Sequence, residues 1–523
     1  MKTMDLLDVI GEAEDDLIHD AKTNQKRKIV GFRKWAKWSY AIAACLCLVI
    51  GCFAMLPHYM PDDEAPIEGG GSGHEEGTVF MSYAGPVFPL TMMDGNTSLE
   101  ASRNIDFNFS AYIKDRKDIE EWGNHGGGVW VNDTYILRNK SNEDVAVLAV
   151  YPFVGDFQTM KWPVVTLDGK EKDWKLNAGA YAGTFRGAGD ERTASLNLEN
   201  ITSWTEYADL LEDGSYFANA FTGLEQVDQA VTVYRLSDLT DGAGEYEAAT
   251  LCMSYKYNPE KTFIMTWGFN GGGTRVDTGD EYRDFFIREG LRKADQDVKY
   301  FIAVGDDIEG YELQGYLDGG CTPGEEINDV SAAVTREEMT IGQLLREISQ
   351  IRYDAIIDNE YDGNANRYLD SHISFEMYFQ AVARHFAAYG PTGTEPKERY
   401  ELGMLDDMIE ETAYHNRILY LSFEVTIPAG SSVEVNVEQF KNASFDFHCS
   451  GSENVGIDGY DMVTSLGSNL SFTGQTASIS DCEAIEIIRQ NFGFNLAGGI
   501  TNVVLDMNEP HYYLEVREVE TSE

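Results

Sequence analysis

One stretch of the chain, residues 38–61, contains no Asp, Glu, Lys or Arg, and it constrains the architecture more than any other feature. Its centre, from Ala41 to Leu56, is almost wholly apolar. A helix needs about 20 predominantly apolar residues to cross the roughly 30 Å hydrocarbon core of a bilayer. The sequence therefore predicts one transmembrane helix over residues 38–58.

The charges on the two sides of this stretch are strongly asymmetric. Seven Lys or Arg residues lie within positions 22–37, whereas Asp62, Asp63 and Glu64 follow the stretch. Lys and Arg are retained on the cytoplasmic side of a membrane. The sequence therefore predicts a single-pass protein of a cell membrane, with the lipid bilayer as a partner, a cytoplasmic N-terminus and an extracytoplasmic C-terminal region.

The apolar stretch has two other interpretations, a cleaved signal peptide and a lipoprotein signal. A cleaved signal peptide fits poorly, because 37 residues precede the stretch and no A-x-A-like cleavage site follows it. The sequence Val49-Ile50-Gly51-Cys52 has the small and apolar residues that precede a lipidated cysteine. The sequence does not decide whether Cys52 is lipidated, although the long N-terminal region argues against it.

The N-terminal head, residues 1–37, carries an amphipathic pattern ahead of its basic tract. Apolar residues recur there at spacings of 4, 3 and 4, which is typical of one face of a helix: Leu6, Ile10, Ala13 and Leu17. So short a helix cannot bury its apolar stripe against itself. We therefore expect these four residues to bind a cytoplasmic partner protein.

The region after the apolar stretch is strongly acidic. Residues 1–60 hold eight Lys or Arg and seven Asp or Glu, against 40 and 88 in the whole chain, so residues 61–523 carry a net charge of about −49. This charge repels nucleic acid, which is therefore excluded as a ligand. It attracts cations, basic peptides or cationic wall components, unless it serves only solubility.

Cysteine usage gives little information about the fold. Three cysteines lie in the apolar stretch, and four lie beyond it: Cys252, Cys321, Cys449 and Cys482. Four cysteines allow three disulfide pairings, and the sequence cannot choose among them. They are too sparse to hold so long a region together, which must fold on its own hydrophobic core.

The sequence predicts a flexible, acidic and Gly-rich linker over residues 59–78, followed by alternating strand patterns. Asp168-Gly169 indicates a hairpin. Residues 419–427 and 433–437 alternate strictly around a Pro428–Ser431 turn and predict an antiparallel pair. Helical patterns occur at about 341–352, 375–388 and 399–412.

These patterns together predict an α+β fold with one transmembrane helix and a β-sandwich-rich extracytoplasmic region that contains a helical insertion. The expected boundaries follow the change from strand to helix patterns. They give a β-rich domain over residues 79–333, a helical insertion over 334–415 and a β-rich C-terminal part over 416–523.

No motif predicts catalysis, and we expect a protein that is not an enzyme. His125-Gly126-Gly127-Gly128 resembles a lipase oxyanion loop, but the chain has no G-x-S-x-G pentapeptide. A calcium loop is the one cofactor site considered: Asp358, Glu360 and Asp362 fall at its positions 1, 3 and 5. Position 12, however, is Leu369 instead of Glu.

The N-terminal part of the chain contains the head segment Leu6–Glu12, the basic tract and Ala43–Leu48. Together these segments resemble the N-terminus of uncharacterised single-pass membrane proteins of Gram-positive, clostridial-type bacteria. The resemblance implies an anti-sigma-like head and a cytoplasmic sigma factor or other regulatory protein as its partner. Anti-sigma factors of the zinc type carry an H-x-x-x-C-x-x-C motif. This head has His19 but no cysteine before Cys45, so the zinc site is absent.

Two non-catalytic functions remain open from the sequence, and a surface hydrolase ranks below both. The first is a membrane-anchored extracytoplasmic sensor or regulator, anti-sigma-like, with a non-catalytic ligand-binding exterior. The second is a cell-envelope binding or structural protein with no signalling role. The sequence does not identify the ligand of the exterior or the oligomeric state.

Overall fold

The structure of the chain is a computed structural model, and the residues it describes all belong to one compact unit, Glu76–Glu523. The described ranges are 84–93, 99–112, 127–157, 161–181, 208, 211–212, 214–221, 228–241, 249–275, 279–287, 298–317, 321–357, 369–389, 403–414, 416–446 and 456–519.

Most of the described residues lie in strands. The first twelve are β1 (Thr91–Met92), β2 (Leu99–Asn108), β3 (Gly128–Asn139), β4 (Val145–Gly155), β5 (Val164–Leu167), β6 (Lys170–Glu171), β7 (Lys175–Tyr181), β8 (Ala230–Asp241), β9 (Ala249–Lys256), β10 (Thr262–Trp267), β11 (Gly271–Thr274) and β12 (Glu281–Ile287). The next twelve are β13 (Lys299–Gly305), β14 (Gly310–Tyr316), β15 (Glu326–Ile327), β16 (Val330–Thr340), β17 (Arg417–Ile427), β18 (Ser432–Asn442), β19 (Phe445–Asp446), β20 (Asp458–Val463), β21 (Ser471–Ser480), β22 (Ile485–Gln490), β23 (Asn502–Val504) and β24 (His511–Glu518). The helices are a 3-10 turn (Phe109–Ala111), α1 (Ser215–Phe221), α2 (Ile341–Ile357), α3 (Phe375–Tyr389) and α4 (Leu405–Tyr414).

These strands form five sheets. In spatial order, sheet I is β1-β4-β17-β7 and sheet II is β23-β21-β2-β3-β18-β5-β6. Sheet III is β19-β20-β24-β22, sheet IV is β10-β13-β8-β16, and sheet V is β11-β12-β9-β14-β15. The pairs are antiparallel except β2 with β21, which run parallel although about 370 residues of chain separate them.

Sheet II is the central sheet because its buried face covers two different cores. Leu99 and Ala101 at the start of β2 pack with sheet I residues in one cluster. Ile105 and Phe107 further along β2 pack with sheet III residues in a second cluster. Strand side chains alternate between faces, so these four residues share one side of the sheet.

A buried ion pair lies on this face between the two clusters. Arg103 follows Ala101 on the same side of β2 and meets Asp133 of β3, with Nε–Oδ1 and Nη2–Oδ2 distances of 2.8 Å. Both side chains are 0% exposed. The Arg103 guanidinium also donates to the backbone oxygens of Val463, at 2.7 Å, and Phe88, at 3.3 Å.

Two tyrosines complete the shell of Asp133. The hydroxyls of Tyr135 and Tyr151 donate to Asp133 Oδ2 at 2.7 and 3.2 Å, and Gln439 Nε2 donates to the Tyr151 hydroxyl at 2.8 Å. Buried charges persist only when they are paired and hydrogen-bonded, and here they are. The network joins strands of sheets I and II and the backbone at the end of β20 in sheet III.

The chain crosses between sheets I and II at two adjacent corners. β3 ends in sheet II and β4 begins in sheet I, while β17 ends in sheet I and β18 begins in sheet II. Asn139 fixes both corners, because its Nδ2 donates to the backbone oxygens of Glu143, at 2.8 Å, and Ile427, at 3.0 Å. The antiparallel pair predicted from residues 419–437 is therefore wrong, since its two strands belong to facing sheets.

Sheet IV is apolar on both faces. Along β13, Tyr300, Ile302 and Val304 pack in the cluster that contains helices α2 and α4, whereas Phe301 and Ala303 pack against sheet V. A strand that is buried on both sides gives a continuous apolar run, as β13 does. Sheet IV is therefore the middle layer between sheet V and the helices.

Several local predictions agree with the structure. Asp168 and Gly169 have φ values of 47° and 74° and join β5 to β6, as a type I′ hairpin turn requires. The helical patterns predicted at 341–352 and 375–388 correspond to α2 and α3, and α4 overlaps the second half of the segment predicted at 399–412 and ends two residues beyond it. The predicted domain boundaries stay predictions.

The predicted fold class is wrong. The described chain is mostly β-sheet, and its helices are accessory elements packed against the sheets, so it is not the predicted α+β fold with a transmembrane helix. No helix in the described ranges is long and apolar enough to cross a bilayer. The predicted span, residues 38–58, lies outside those ranges. The single-pass membrane localisation is corrected on this finding and is not retained.

The buried ion pair gives a stability prediction. Asp133→Asn removes the negative charge that compensates Arg103 and leaves the guanidinium buried without a counter-ion. Breaking a buried pair in this way costs about 3–5 kcal/mol. We expect the free energy of unfolding, measured by urea denaturation, to fall by that amount.

A matched exposed pair serves as the control for this substitution. Asp306 Oδ2 lies 3.6 Å from Lys261 Nζ, and both side chains are more than 60% exposed. Exposed pairs contribute about 0–1 kcal/mol, so Asp306→Asn should lower the stability by no more than that. Equal losses for the two variants would contradict the assigned role of the buried network.

Candidate functional site

The residues predicted from the sequence as sites lie outside the described ranges. These are the partner-binding residues Leu6, Ile10, Ala13 and Leu17 and the calcium-loop residues Asp358, Glu360 and Asp362. Leu369, at the twelfth position of that loop, is described and is buried. Within the described ranges, no group of three or more His, Cys, Asp or Glu side chains could hold a metal ion.

Three rings from distant parts of the chain form an aromatic surface, defined by Trp162, Trp174 and His372. The ring centroids are 5.6 Å apart for Trp162 and Trp174, 4.9 Å for Trp162 and His372, and 5.4 Å for Trp174 and His372. Trp162 lies just before β5 in sheet II, Trp174 just before β7 in sheet I, and His372 just before α3. The site therefore lies where sheets I and II and the helices come together.

The rings of the aromatic surface pack against the core and remain partly exposed to solvent. Trp162 meets Phe153 edge-on at 6.1 Å, and both tryptophans pack against the main apolar core. Both tryptophans are nevertheless half-buried, and the His372 side chain is 48% exposed. Large rings held this way offer apolar contact area at little entropic cost, which is why Trp is enriched at binding surfaces.

A carboxylate lies next to these rings. Asp370 Oδ1 is 2.8 Å from His372 Nδ1 and accepts the His372 backbone N–H at 2.9 Å. Partial burial alone would raise the pKa of Asp370, but the hydrogen bonds from the His372 backbone and ring outweigh it and lower the pKa. Asp370 is therefore ionised at neutral pH beside the aromatic surface.

Aromatic faces and a carboxylate together favour a cationic ligand. The negative face of an aromatic ring attracts a cation within about 6 Å, and quaternary ammonium groups are recognised in this way. The chain already makes such contacts elsewhere, because Lys161 Nζ lies 3.6 Å from the Phe440 ring centroid and 5.7 Å from that of Trp130. At the aromatic surface the same chemistry is available to a ligand.

A groove of about 690 Å³ runs along sheet III, and its lining includes Ile487, Arg489, Leu496 and Tyr513. Arg489 in this groove is ion-paired with Glu515 of β24. Its lining mixes apolar and polar side chains, and the polar groups do not converge on one point of the groove. It therefore predicts no particular ligand.

A buried charged cluster near sheet III is structural. Lys441 Nζ donates to the Gly85 oxygen at 2.7 Å, and His511 Nε2 lies 2.8 Å from Asp461 Oδ2. The Asp461 side chain is 0% exposed, so a ligand cannot reach it. Burial lowers the pKa of Lys441 to about 8, although nearby Asp461 acts in the opposite direction.

Sequence reasoning missed the aromatic surface, yet one signal for it was present. Trp162 lies six residues before Asp168 and Trp174 lies five residues after Gly169. A two-residue hairpin turn at Asp168-Gly169 brings the segments on its two sides close together. The two tryptophans could therefore have been placed together, whereas the contribution of His372 depends on tertiary packing.

Comparisons with known proteins give little. No protein-family model matches the chain, and a search of curated proteins gives no match. Among solved structures, a Legionella pneumophila protein whose name proposes nutrient binding aligns over 84% of this chain and 72% of that chain, at 6% identity and a TM-score of 0.27. A likeness with so low a TM-score carries no argument about fold or function.

The buried lysine predicts a pH dependence of stability. Lys441 has a lower pKa in the folded chain, about 8, than its ordinary value of 10.5. Between these values the unfolded state binds the proton that the folded state has lost. The contribution of Lys441 to stability therefore rises with pH, by at most about 1.4 kcal/mol per pH unit.

Lys441→Met removes this titration and isolates it. Urea denaturation of both proteins from pH 7 to 9.5 should show wild-type stability increasing relative to the variant above pH 8. Tyrosines and cysteines that titrate in this interval are present in both proteins, so their contributions cancel in the difference. A constant stability difference across the interval would contradict the assigned pKa.

Proposed function

We propose that the protein is a non-catalytic binding protein that holds an organic cation, of the quaternary ammonium or amine class, on the aromatic surface. The observation that carries this proposal is the contact of Trp162, Trp174 and His372 beside the ionised Asp370. The rings supply polarisable faces, and the carboxylate supplies the counter-charge.

The charge of the whole chain supports the same class of ligand. The net charge of −48 gives a negative potential that raises the local concentration of cations and repels anions. This long-range attraction favours cations in general, whereas the aromatic surface is the site that would bind one. An anionic or nucleic-acid ligand is disfavoured by both.

The regulatory role proposed from the sequence needs a second binding event. A sensor would couple the cation site to a partner, such as a sigma factor, held by the predicted helix at Leu6, Ile10, Ala13 and Leu17. Those residues lie outside the described ranges, so the anti-sigma-like role stays a prediction. The alternative, a cell-envelope binding or structural protein, requires only the ligand site.

A pair of small probes tests the charge requirement. Choline and 3,3-dimethylbutan-1-ol have nearly the same shape, but only choline is charged. We expect calorimetric titration of the full chain to show choline binding at least about tenfold more tightly, a difference of about 1.4 kcal/mol that lies within the cation–π range. Equal binding of both probes, or binding of neither, would overturn the proposed function.

Substitutions locate the binding at the aromatic surface. Trp174→Ala should weaken choline binding about tenfold or more, because it removes one of the three ring faces. Trp130→Ala is the matched control: Trp130 is also half-buried, but Lys161 already lies over its ring. Asp370→Asn should weaken choline binding while leaving the binding of 3,3-dimethylbutan-1-ol unchanged. A larger loss of choline affinity in Trp130→Ala than in Trp174→Ala would show that the cation does not bind at the aromatic surface.

A further inference from the structure

Two cysteines separated by almost 70 residues in sequence meet on the face of sheet V that points away from sheet IV, since Leu251 and Met253 on either side of Cys252 face sheet IV. Cys252 lies on β9, and Cys321 lies in the loop between β14 and β15. The two side chains pack together with Tyr316 in one small buried cluster. Both cysteines are free thiols, so this cluster brings two reduced sulfur-bearing side chains together.

One arginine contacts both cysteines. Arg275, which follows β11, places Nη2 3.3 Å from Cys252 Sγ and donates from Nη1 to the Cys321 backbone oxygen at 3.5 Å. Its Nε donates to the Ser254 hydroxyl at 3.0 Å, and Nη2 donates to the Tyr316 hydroxyl at 2.8 Å. The guanidinium is therefore fixed with its charge against the Cys252 sulfur.

The two thiols are chemically unequal. The hydrogen bond from Cys321, followed by the charge of Arg275, lowers the pKa of Cys252 in spite of its burial. The pKa of Cys321 is raised, because it donates that hydrogen bond and is itself buried. Cys252 therefore has the greater thiolate character, and the thiolate is the form that reacts with oxidants.

We propose that Cys252 and Cys321 are a peroxide-reactive dithiol that closes into an intramolecular disulfide, with Cys252 as the first sulfur to react and Arg275 as its positioning residue. The site is distinct from the aromatic surface, and the inference does not depend on the proposed function. A small oxidant is required because Cys252 is 0% and Cys321 3% exposed. Hydrogen peroxide meets this requirement, and half-buried Arg275 gives the pair a polar connection to the surface.

The chemistry balances in two steps. The Cys252 thiolate attacks one peroxide oxygen, the O–O bond breaks, and hydroxide leaves while Cys252 becomes a sulfenic acid. The Cys321 sulfur then attacks the Cys252 sulfur, the S–O bond breaks, and water forms with the Cys321 proton. Across both steps, two thiols and one hydrogen peroxide give one disulfide and two waters.

Peptide mapping of the full chain tests the pairing. The reduced protein is treated with hydrogen peroxide, its remaining thiols are alkylated, and it is digested without reductant. We expect one cross-linked peptide pair that joins Cys252 to Cys321 and has lost two hydrogens. Alkylated Cys252 and Cys321 after this treatment, or a cross-link of either one to Cys449 or Cys482, would overturn the proposal.

Variants test the order of the two steps. Cys321→Ser should leave a sulfenic acid on Cys252 that dimedone labels, whereas Cys252→Ser should leave Cys321 largely unlabelled. Cys482→Ser is the matched control, since Cys482 is a half-buried thiol with a raised pKa outside this cluster, and disulfide closure should be unchanged. Stronger labelling of Cys321 than of Cys252 would reverse the assigned roles and so contradict the proposal.

The arginine is tested by a conservative pair. Arg275→Gln should slow disulfide closure about tenfold for each unit by which the Cys252 pKa rises. Arg275→Lys keeps the charge and should recover part of that rate. Both rates are followed at several pH values, where the Gln variant should reach half-maximal rate at a higher pH than wild type. Identical pH profiles for the three proteins would show that Arg275 does not act on the Cys252 thiolate.

Discussion

The structure depends on one buried ion pair, between Arg103 and Asp133. Arg103 stands on an otherwise apolar face of β2, between residues of two separate hydrophobic clusters. Its guanidinium reaches backbone oxygens of Phe88 and Val463 that belong to other parts of the fold. A buried pair of this kind adds little net stability over an apolar substitute, but it penalises every arrangement that separates its partners. We infer that it specifies how sheets I and III share the face of sheet II.

The aromatic surface follows from the same sandwich. The chain leaves sheet II after β6 and enters sheet I at β7, and Trp174 lies on that crossing. Trp162 lies on the approach to β5, so the hairpin brings both tryptophans to the edge where the two sheets meet α3. A site assembled from three separate segments is held by the packing beneath it instead of by local structure. Its rings are therefore positioned by that packing before any ligand is present, and such preorganisation lowers the entropic cost of binding.

Local features of this fold could be predicted from the sequence, whereas its long-range pairings could not. Asp168-Gly169 and the helical periodicities were informative because a turn and an amphipathic helix are decided by neighbouring residues. The alternation in residues 419–437 correctly indicated two strands. It could not show that they lie in facing sheets, since Asn139, some 290 residues earlier, holds the corner between them. Arg103 gave a missed signal, because a charged residue within an alternating apolar pattern indicates a buried partner. His372 could not have been assigned to a site, since its neighbours come from elsewhere in the chain.

The parallel pairing of β2 with β21 has a consequence for biosynthesis. The ribosome delivers residues 99–108 long before residues 471–480, so one side of β2 has no hydrogen-bonding partner while most of the polypeptide is still being translated. Loops this long must close before such contacts form, and exposed strand edges are prone to association with other chains. Sheet II can therefore be completed only after residues 471–480 have left the ribosome, and until then the nascent polypeptide needs protection from association at this strand edge.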